Sequence, residues 1–552
     1  MKKEWILLGL IVLVAAFLRL WQLGQIPISP DWDEVSLGYN AYSILHSGAD
    51  EYGKFLPIVL RSFDDYKPAL YSYLAIPSIV TFGLNVFATR LPSAIFGIVS
   101  VIATYFLVKE LFARKDLALL SSFLLAISPW HIQFSRVAFE SNIGLTFNIL
   151  SILFFLIGLK KNIFLTLSAI FAALSLYTYQ AEKVFVPILA AILILIYRKK
   201  IMSISKKYLL SALILGFIIS LPIFTYTITN KEALSRARGA SILSSPIQSS
   251  DLDLARRNLL DRSNNDYFGL VVDNRRVIYF KEIIGNYFSH YDLNWLFVKG
   301  EAINKTYTNL RHQAFGMGNL YLFDLPFLLI GIYILLFSDF KKTTKLLIFS
   351  WFLTVPIPAS ITWDVPNSVR TLNFLPTFQI FIALGILQIY YLVEKQKYKF
   401  IALSLIGFLA IFNFVYYLDQ YFVQYNYFAS SYWQYGYEKL IPQIQKIEKN
   451  YDRVIISSQV PLDQSYIFFL FYLKYPPSEY QKISSQFSGE YRSSHKIGKY
   501  EFEGTKIKDE RENENILIVG GVRDFLTTNR RILKTIYFPD GSPAILIVDK
   551  RI

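Results

Sequence analysis

Long apolar segments separated by short charged loops fill the first three quarters of the chain. A helix needs about 20 predominantly apolar residues to cross a bilayer. Counting the segments near that length predicts about eleven transmembrane helices. They cover residues 5–21, 88–111, 117–132, 143–159, 163–178, 184–197, 208–228, 320–337, 346–361, 372–393 and 400–417.

Two long polar segments interrupt this pattern, over residues 22–87 and 229–318. Within the first, apolar positions recur along residues 34–45, which predicts a helix lying along the membrane surface. Residues 69–81 are apolar but are followed by Gly83 and Asn85, so we expect this piece to dip into the membrane rather than cross it. Both polar segments are expected to be loops on the same side of the membrane.

The character of the chain changes after residue 417. Short β-type runs at 454–457, 516–519 and 544–548 alternate with helical stretches at 437–449 and 465–473. Such an alternation is typical of a small α/β domain. The sequence therefore predicts an α-helical polytopic membrane domain over residues 1–428 and a C-terminal α/β domain over residues 429–552.

The distribution of lysine and arginine assigns a side of the membrane to each loop. Basic residues concentrate in alternate short loops, and such loops face the cytoplasm. We therefore expect a multi-pass cell-membrane protein with a cytoplasmic N-terminus. The polar loops and the C-terminal domain would be extracytoplasmic. The basic clusters lie at residues 2–3, 109–115, 160–161, 198–207, 341–345 and 395–399.

Composition supports the membrane class and excludes others. The 552 residues are 53% hydrophobic and 18% charged, which is too apolar for a soluble protein of this length. The formal charge of +15 does not indicate nucleic-acid binding, because the basic residues lie in the loops that orient helices. The chain has no cysteine, which excludes disulfides and thiolate metal sites.

The predicted outer loops carry residues suited to acid–base and phosphate chemistry. Asp33 and Glu34 are adjacent carboxylates that could supply a general base, or they could be solvated acids at a helix N-terminus. Lys67 and Arg370 each precede an apolar segment, where a cation can hold a phosphate. The alternative for both is an ordinary anchor at the lipid headgroups.

Three further polar residues share the predicted outer face. Arg136 and Glu140 are four residues apart, so on a helix they would share a face, either as part of a site or as a surface ion pair. His290 lies in the second polar segment and is a candidate for substrate binding or for a structural role.

These segments together resemble the multi-span glycosyltransferases that use lipid-phosphate sugars, in particular the protein O-mannosyltransferases and the lipid A aminoarabinose transferases. The resemblance extends to about residue 417, and the sequence departs from it in two places. Ala69 stands where many relatives have a second proline, and Asn367 stands where bacterial relatives often have histidine. The matching residues are Asp33-Glu34, Lys67-Pro68, Arg136, Glu140, Gly318–Tyr321, Asp324–Pro326 and Asn367–Arg370.

The resemblance implies a glycosyltransferase that moves a sugar, with inversion, from a polyprenyl-monophosphate donor to a lipid, glycan or protein acceptor at the outer face. It implies Asp33 as the general base, with Glu34 and Glu140 shaping the sugar and acceptor site. Lys67, Arg370 and Arg136 would stabilise the phosphate leaving group. No cofactor is implied, and a bound divalent metal is not expected, because adjacent carboxylates alone are weak evidence for one.

Two other functions fit parts of the pattern. A transporter or lipid flippase would carry charged residues in the middle of its spans, whereas the candidate residues here lie at span ends. A scaffold whose outer domain binds a partner would not need acids beside cations in its outer loops. We therefore expect the transferase.

Overall fold

The computed structural model describes residues 2–63, 65–230, 239, 241–243, 248–303, 310–394, 396–487, 493–503, 515–525 and 531–550. Helices dominate the first 430 residues, as the apolar segments predicted. The chain begins with α1 (Lys2–Leu20), α2 (Trp32–Ser47), β1 (Val59–Ser62), β2 (Asp65–Pro68), α3 (Leu70–Phe82), α4 (Val86–Phe112), α5 (Lys115–Ile127), α6 (Pro129–Arg136), α7 (Glu140–Gly158), α8 (Phe164–Ser175), α9 (Glu182–Ile201) and α10 (Lys206–Thr229).

The second polar segment also contains helices, and further apolar helices follow it. Short helical turns at Trp295–Lys299, Gly300–Ile303 and Leu310–His312 link the two groups. The α-helices of this part of the chain are α11 (Gln248–Ser263), α12 (Tyr267–Val272), α13 (Arg275–Ser289), α14 (Asp324–Phe337), α15 (Lys342–Thr354), α16 (Ile357–Ser360), α17 (Thr377–Glu394), α18 (Lys399–Asp419) and α19 (Tyr425–Phe428).

Several of these helices are suited to a bilayer. In the part of the chain that the structure describes, five helices are long and apolar enough to cross a membrane, or six if the bent pair α5 and α6 forms one span. The protein is therefore a multi-pass, mainly helical membrane protein, while the count of eleven spans stays a prediction. The five are Val86–Phe112, Glu140–Gly158, Lys206–Thr229, Leu372–Glu394 and Lys399–Phe428.

The C-terminal region folds around a six-stranded mixed sheet, which confirms the expected α/β character. The strand order is β4-β5-β3-β6-β8-β7, with β3 at the centre and parallel to both β5 and β6. The elements are α20 (Tyr437–Ile447), β3 (Arg453–Ser457), α21 (Ser465–Tyr472), α22 (Pro477–Ser484), β4 (His495–Ile497), β5 (Tyr500–Glu503), β6 (Ile516–Gly521), β7 (Ile532–Tyr537) and β8 (Pro543–Asp549).

A single hydrophobic core joins this sheet to the helical region. Buried residues of α2 and α3 belong to the same cluster as those of α21 and of strands β3, β6 and β8. Helix α2 is thus covered on nearly every side, instead of presenting one apolar face to lipid as its sequence predicted. The contact is closest at Gly38, where an added Cβ would lie 2.6 Å from Oγ1 of Thr89 and 2.8 Å from the Phe471 ring.

Two buried arginines tie the first helix to its neighbours. Arg136 donates to the carbonyl of Leu18 (2.9 Å), in the last turn of α1, and to that of Ile26 (3.0 Å), in the loop after it. Arg19 donates to the carbonyl of Ala126 (2.9 Å), at the C-terminal end of α5. The last carbonyls of a helix lack intrahelical donors and carry partial negative charge, so a guanidinium is a favourable partner there.

Candidate active site

The first acidic segment forms the beginning of α2. Asp31 is the N-cap residue, and its Oδ1 accepts the N–H of Glu34 at 2.9 Å. The Glu34 carboxylate in turn accepts the N–H of Asp31 at 3.3 Å, which completes a capping box. This reciprocal cap fixes where the helix begins and so fixes the direction of the Asp33 side chain between the two capping residues.

Glu34 is an anchor inside the protein. Its Oε1 and Oε2 accept from Nε (2.8 Å) and Nη2 (2.9 Å) of Arg90, in a bidentate ion pair. Oε1 also accepts the N–H of Ala138 at 2.9 Å. Both partners are buried, and a charge out of water is tolerated only when it is paired and hydrogen-bonded. Glu34 therefore connects α2 to α4 and to the segment between α6 and α7.

Asp33 has the opposite environment. Its side chain is 41% exposed, and its Oδ1 accepts a hydrogen bond from the ammonium of Lys67. The short hairpin β1–β2 carries Lys67, which is paired with Leu60 in the antiparallel register. The Lys67 side chain is 3% exposed, and its ammonium lies 5.7 Å from the centre of the Phe63 ring. A buried cation thus stands against a carboxylate that reaches solvent.

The loop before α17 supplies a second cation. Nη1 of Arg370 donates to Oγ1 of Thr362 at 2.8 Å, which holds the guanidinium against its own loop. Oδ1 of Asn367 accepts the N–H groups of Val369 and Arg370, each at 3.1 Å, so the loop is tightly turned. Oε1 of Glu301 accepts the N–H of Ser368 at 2.7 Å. Contacts from the second polar segment therefore set the position of this loop.

His290 supports the loop that contains Asn367 and Arg370. Its Nδ1 lies 2.8 Å from the carbonyl of Asn286, and its Nε2 accepts the N–H of Asn367 at 3.2 Å. Burial lowers the pKa of His290 to about 4, so the ring is neutral at pH 7 and Nε2 remains an acceptor. This is a positioning contact on the backbone of the loop.

Two further side chains of the site, Arg311 and His312, lie against Asp31 and Glu301. Nη1 of Arg311 donates to Oδ2 of Asp31 at 3.2 Å, and its guanidinium covers the Trp32 ring at 4.7 Å. Burial raises the pKa of Asp31 to about 6, although the Arg311 charge opposes that rise. His312 lies 2.5 Å from Oε2 of Glu301. Burial alone would raise the pKa of Glu301, but the charge and hydrogen bond of His312 hold it below its ordinary value.

These residues surround one cavity of about 180 Å³. That volume is below the ~300 Å³ at which pockets for drug-sized ligands begin, so it suits a phosphate or a single sugar unit. Five of the seven predicted site residues lie in its wall. The complete lining is Asp31, Asp33, Glu34, Lys67, Ala138, Phe139, Glu140, Tyr179, Arg311, His312, Asp364, Asn367, Val369 and Arg370.

The other two predicted residues lie behind the wall. Arg136 is buried against the carbonyls at the end of α1, and its guanidinium lies 5.0 Å from the centre of the Phe422 ring. His290 contacts the cavity loop through the backbone of Asn367. The roles assigned to all seven residues from the sequence stay predictions, and the structure supplies their positions.

Four residues at this site had no role predicted from the sequence: Asp31, Glu301, Arg311 and His312. Asp31 had a usable signal, because an acid three residues before Glu34 is a capping-box pattern. The others had none. The helical turns Gly300–Ile303 and Leu310–His312 bring Glu301, Arg311 and His312 to the site, and no local motif indicates that placement.

Within the described ranges, no group of three or more His, Asp or Glu side chains is arranged to hold a metal ion. Asp31, Asp33 and Glu34 instead have Arg311, Lys67 and Arg90 as ionic partners. The expectation that no metal is bound stays a prediction.

Residues 66–226 match the model of a family described as dolichyl-phosphate-mannose-protein mannosyltransferase. This segment is less than a third of the chain, and it contains Lys67, Arg136 and Glu140. No curated protein sequence matches the chain.

The whole chain is similar to a solved structure of ArnT from Cupriavidus metallidurans bound to undecaprenyl phosphate. The TM-score is 0.57 at 10% identity, over 99% of this chain and 98% of that one. The same ArnT in its apo state gives a TM-score of 0.54 at 11% identity, with the same coverage of both chains. The chain therefore has the same overall fold as ArnT.

The family match over residues 66–226 and the fold shared with ArnT together confirm the resemblance drawn from the outer-loop motifs. The Archaeoglobus fulgidus oligosaccharyltransferase, tethered with an acceptor peptide, gives a TM-score of 0.48 at 14% identity over 85% of this chain and 63% of that one. A TM-score of 0.48 is too low to support a conclusion about the fold of this chain. The coverage of ArnT extends through the C-terminal region, where the sequence resemblance was looser.

Proposed function

We propose that the chain transfers a sugar from a polyprenyl-monophosphate donor to an acceptor hydroxyl at the outer face of the cell membrane. The observation that carries this proposal is the Asp33 carboxylate, which is exposed to the cavity and paired with Lys67. Arg311 and Arg370 line the same cavity. A base beside several cations fits a reaction in which a hydroxyl loses a proton while a phosphate departs.

The reaction breaks one bond and forms one bond at the anomeric carbon. The acceptor oxygen attacks that carbon from the side opposite the phosphate, which inverts its configuration. The bond to the phosphate oxygen breaks, and its electron pair leaves with the lipid phosphate. Asp33 accepts the proton of the acceptor hydroxyl. A general base in this position contributes about 10²–10⁴-fold to such a rate.

The cations stabilise the charge that develops on the leaving phosphate. Lys67 is already desolvated and held by Asp33, so a donor phosphate would share its ammonium with the carboxylate. Arg370 has one Nη atom fixed by Thr362 and so presents its guanidinium from a rigid loop. Side-chain cations suffice in this scheme for a monophosphate, and no metal is assigned to it.

The buried residues position this machinery. Glu34 anchors the start of α2 through Arg90, and this fixes Asp33 by direct chain connection. His290 holds the loop of Arg370 through Asn367. Glu140 lines the cavity at the first position of α7, where it would contact the sugar or the acceptor.

A second, apolar cavity suits the lipid chain of the donor. It has a volume of about 790 Å³ and lies among α7, α8, α9 and α10, with wall residues such as Leu165, Ala190, Leu193 and Phe224. Tyr179 of the polar cavity is three residues from Leu176 of the apolar one, so the two are neighbours along the chain. The ArnT structure with a similar fold is bound to undecaprenyl phosphate, which supports a lipid-phosphate donor here.

The test of the base measures sugar transfer by Asp33→Asn protein with synthetic polyprenyl-phosphate sugars in liposomes. We expect turnover to fall about 10²–10⁴-fold while donor binding is kept. Glu438→Gln is the matched control, because Glu438 is an exposed acid in the first turn of α20, away from the cavity. Turnover of Asp33→Asn close to that of the control would overturn the assignment.

The test of the cations measures donor binding and turnover separately. Lys67→Ala and Arg370→Ala should each lower turnover, by about 10²–10³-fold if the lost contact strengthens in the transition state. Lys439→Ala, which removes an exposed lysine of α20, should change neither quantity. Unaltered donor affinity and turnover in both cavity variants would reject the phosphate site.

The test of the lipid cavity compares two donors of different chain length. Ala190→Trp fills part of the apolar cavity and should raise KM for a long-chain donor more than for a short-chain one. Ala402→Trp, on α18, is a control outside this cavity. Equal effects on both donors would contradict the placement of the chain.

A further inference from the structure

Helix α13 (Arg275–Ser289) has an exposed apolar face. Val277, Phe280, Ile284 and Phe288 are all exposed, with 64% of Phe280 and 63% of Phe288 accessible. At about 100° per residue these four positions fall within an arc of about 80° on the helix. A contiguous apolar stripe on the exposed face of a helix indicates that another apolar surface covers the stripe.

The opposite side of the helix is already packed on the protein. Nδ2 of Asn286 donates to the carbonyl of Ser360 at 3.2 Å. On its flank, the hydroxyl of Tyr287 donates to the carbonyl of Leu353 at 2.7 Å, at the end of α15. Tyr287 lies about 20° beyond the Phe280 edge of the stripe, so this edge is close to α15. The four stripe residues themselves remain exposed.

Charges border the stripe on both sides. Arg276 and Lys281 are exposed and lie about 40° and about 20° beyond the two edges of the stripe on the helical projection. Long basic side chains beside an apolar face can keep their stems in the acyl region and their charges at the phosphates. This is the charge pattern of a helix lying in a membrane interface.

The surrounding surface continues the stripe. Leu353 at the end of α15 and Ile361 after α16 are exposed beside the contacts that hold α13. The adjoining helix α12 exposes Tyr267 and Phe268, the latter by 79%. The apolar surface thus runs from the end of an apolar helix onto the arm formed by α12 and α13.

We propose that α13 is a membrane-docking helix whose apolar stripe lies among the acyl chains of the outer leaflet, with Arg276 and Lys281 at the level of the lipid phosphates. The helix ends one residue before His290, which accepts the N–H of Asn367. Docking therefore fixes the distance between the membrane surface and the loop that carries Arg370. The occupant is phospholipid of the membrane that holds the protein.

The experiment uses the absence of native cysteine from the chain. Full-length Phe280→Cys and Ile284→Cys proteins are labelled with a nitroxide and reconstituted in phosphatidylcholine and phosphatidylglycerol liposomes. Collision with oxygen reports lipid contact, and collision with a water-soluble nickel chelate reports water contact. Leu213→Cys, on the exposed surface of α10, is the lipid reference, and Lys496→Cys, exposed on β4, is the water reference.

The expected result is an oxygen-to-nickel ratio at both stripe positions close to that at residue 213 and well above that at residue 496. A ratio like that at residue 496 would overturn the proposal, since the stripe would then face water. Spin–spin broadening between two labelled chains would overturn it as well, because a second copy would then cover the stripe. Two stripe variants are used so that a misfolded one does not decide the outcome.

Discussion

Asp33 and Glu34 are adjacent, yet their carboxylates occupy opposite environments. The side chain of Asp33 is 41% exposed, whereas that of Glu34 is 2% exposed and is bound by two nitrogen atoms of the Arg90 guanidinium. Successive residues of a helix point about 100° apart, so one side chain can enter the cavity while the next enters the core. The difference separates a residue available for proton transfer from one that holds the helix in place.

The first prediction concerns the buried member of this pair. Glu34→Gln leaves the Arg90 guanidinium buried without its counter-charge, and breaking such a pair costs about 3–5 kcal/mol. We expect a large loss of thermal stability in detergent. Asp33→Asn should lose activity with a smaller loss of stability, because the Asp33 carboxylate is 41% exposed and its ion pair with Lys67 is partly open to solvent. Thermal unfolding of both variants under one condition makes the comparison. A Glu34→Gln protein as stable as Asp33→Asn would contradict the anchoring role.

The second prediction concerns Asp31, whose pKa burial raises to about 6, above the ordinary 3.8. The folded protein then binds this proton more tightly than the unfolded chain, so the carboxyl contributes stability at low pH that is lost as pH rises to about 6. Lowering the pH from 7 to 5 should stabilise the native protein by about 1 kcal/mol relative to Asp31→Asn. Unfolding midpoints of both proteins at the two pH values test this.

The control for the Asp31 prediction is a second carboxyl replacement outside the site. Glu438→Gln removes an exposed acid, and it should leave the pH dependence of stability as in the unaltered protein. Equal pH dependence in Asp31→Asn and in the unaltered protein would show that Asp31 is ionised throughout. The Asp31–Arg311 ion pair would then persist at pH 5.

At the scale of elements, α2 is the piece on which the site depends. It carries Asp33 and Glu34 at its start, and it is enclosed by α4 on one side and by α21 of the C-terminal region on another. Gly38 marks the point where the three helices meet. The position of the base thus depends on packing around a small residue in the middle of the helix.

The third prediction tests that contact. Gly38→Ala would place a methyl group within 3 Å of the Thr89 and Phe471 side chains, so these side chains or the helices that carry them must shift. Overpacking of this kind costs about 1–3 kcal/mol. Gly9→Ala is the matched control, since an added Cβ in the middle of α1 meets nothing within 4 Å. We expect reduced stability for Gly38→Ala alone, and equal unfolding midpoints for the two variants would contradict the close contact.

Apolar length and alternation were sufficient to predict most elements. The strands at 454–457, 516–519 and 544–548 are present as β3, β6 and β8, because short apolar runs bounded by polar residues leave few alternatives. Strands β4, β5 and β7 were not predicted. Strand β5 (Tyr500–Glu503) carries two glutamates and so has no apolar run, whereas β4 and β7 lie at the edges of the sheet. Their burial pattern is alternating or largely exposed, and edge strands of that kind have too little apolar signal to stand out.

The candidate site could be predicted in part, for a physical reason. Lys67 and Arg370 stand at the ends of apolar segments, where a charge is conspicuous against its surroundings. Arg136 has the same appearance in the sequence, yet the structure places it on helix carbonyls. A cation next to an apolar segment can bind a ligand or a helix end, and tertiary packing decides between them.

At the scale of the whole molecule, the cavity is assembled from segments far apart in the sequence. Its wall combines the start of α2, the hairpin β1–β2, the start of α7, the turn at Leu310–His312 and the loop before α17. No described residue of the C-terminal sheet lines this cavity, but the core of the sheet is continuous with that of α2. The C-terminal region therefore acts on the site as a support for the helix that carries the base.

The fourth prediction concerns the orientation of the molecule in the membrane. Basic residues 198–200 end α9, and cytoplasmic loops carry such an excess. In sealed cells, a membrane-impermeant maleimide should therefore label Lys534→Cys in the C-terminal sheet, while Lys200→Cys should react only after permeabilisation. The unaltered protein has no cysteine and is the blank. Labelling of residue 200 from outside would invert the topology, and the cavity would then open to the cytoplasm, where the proposed outer-face acceptor could not reach it.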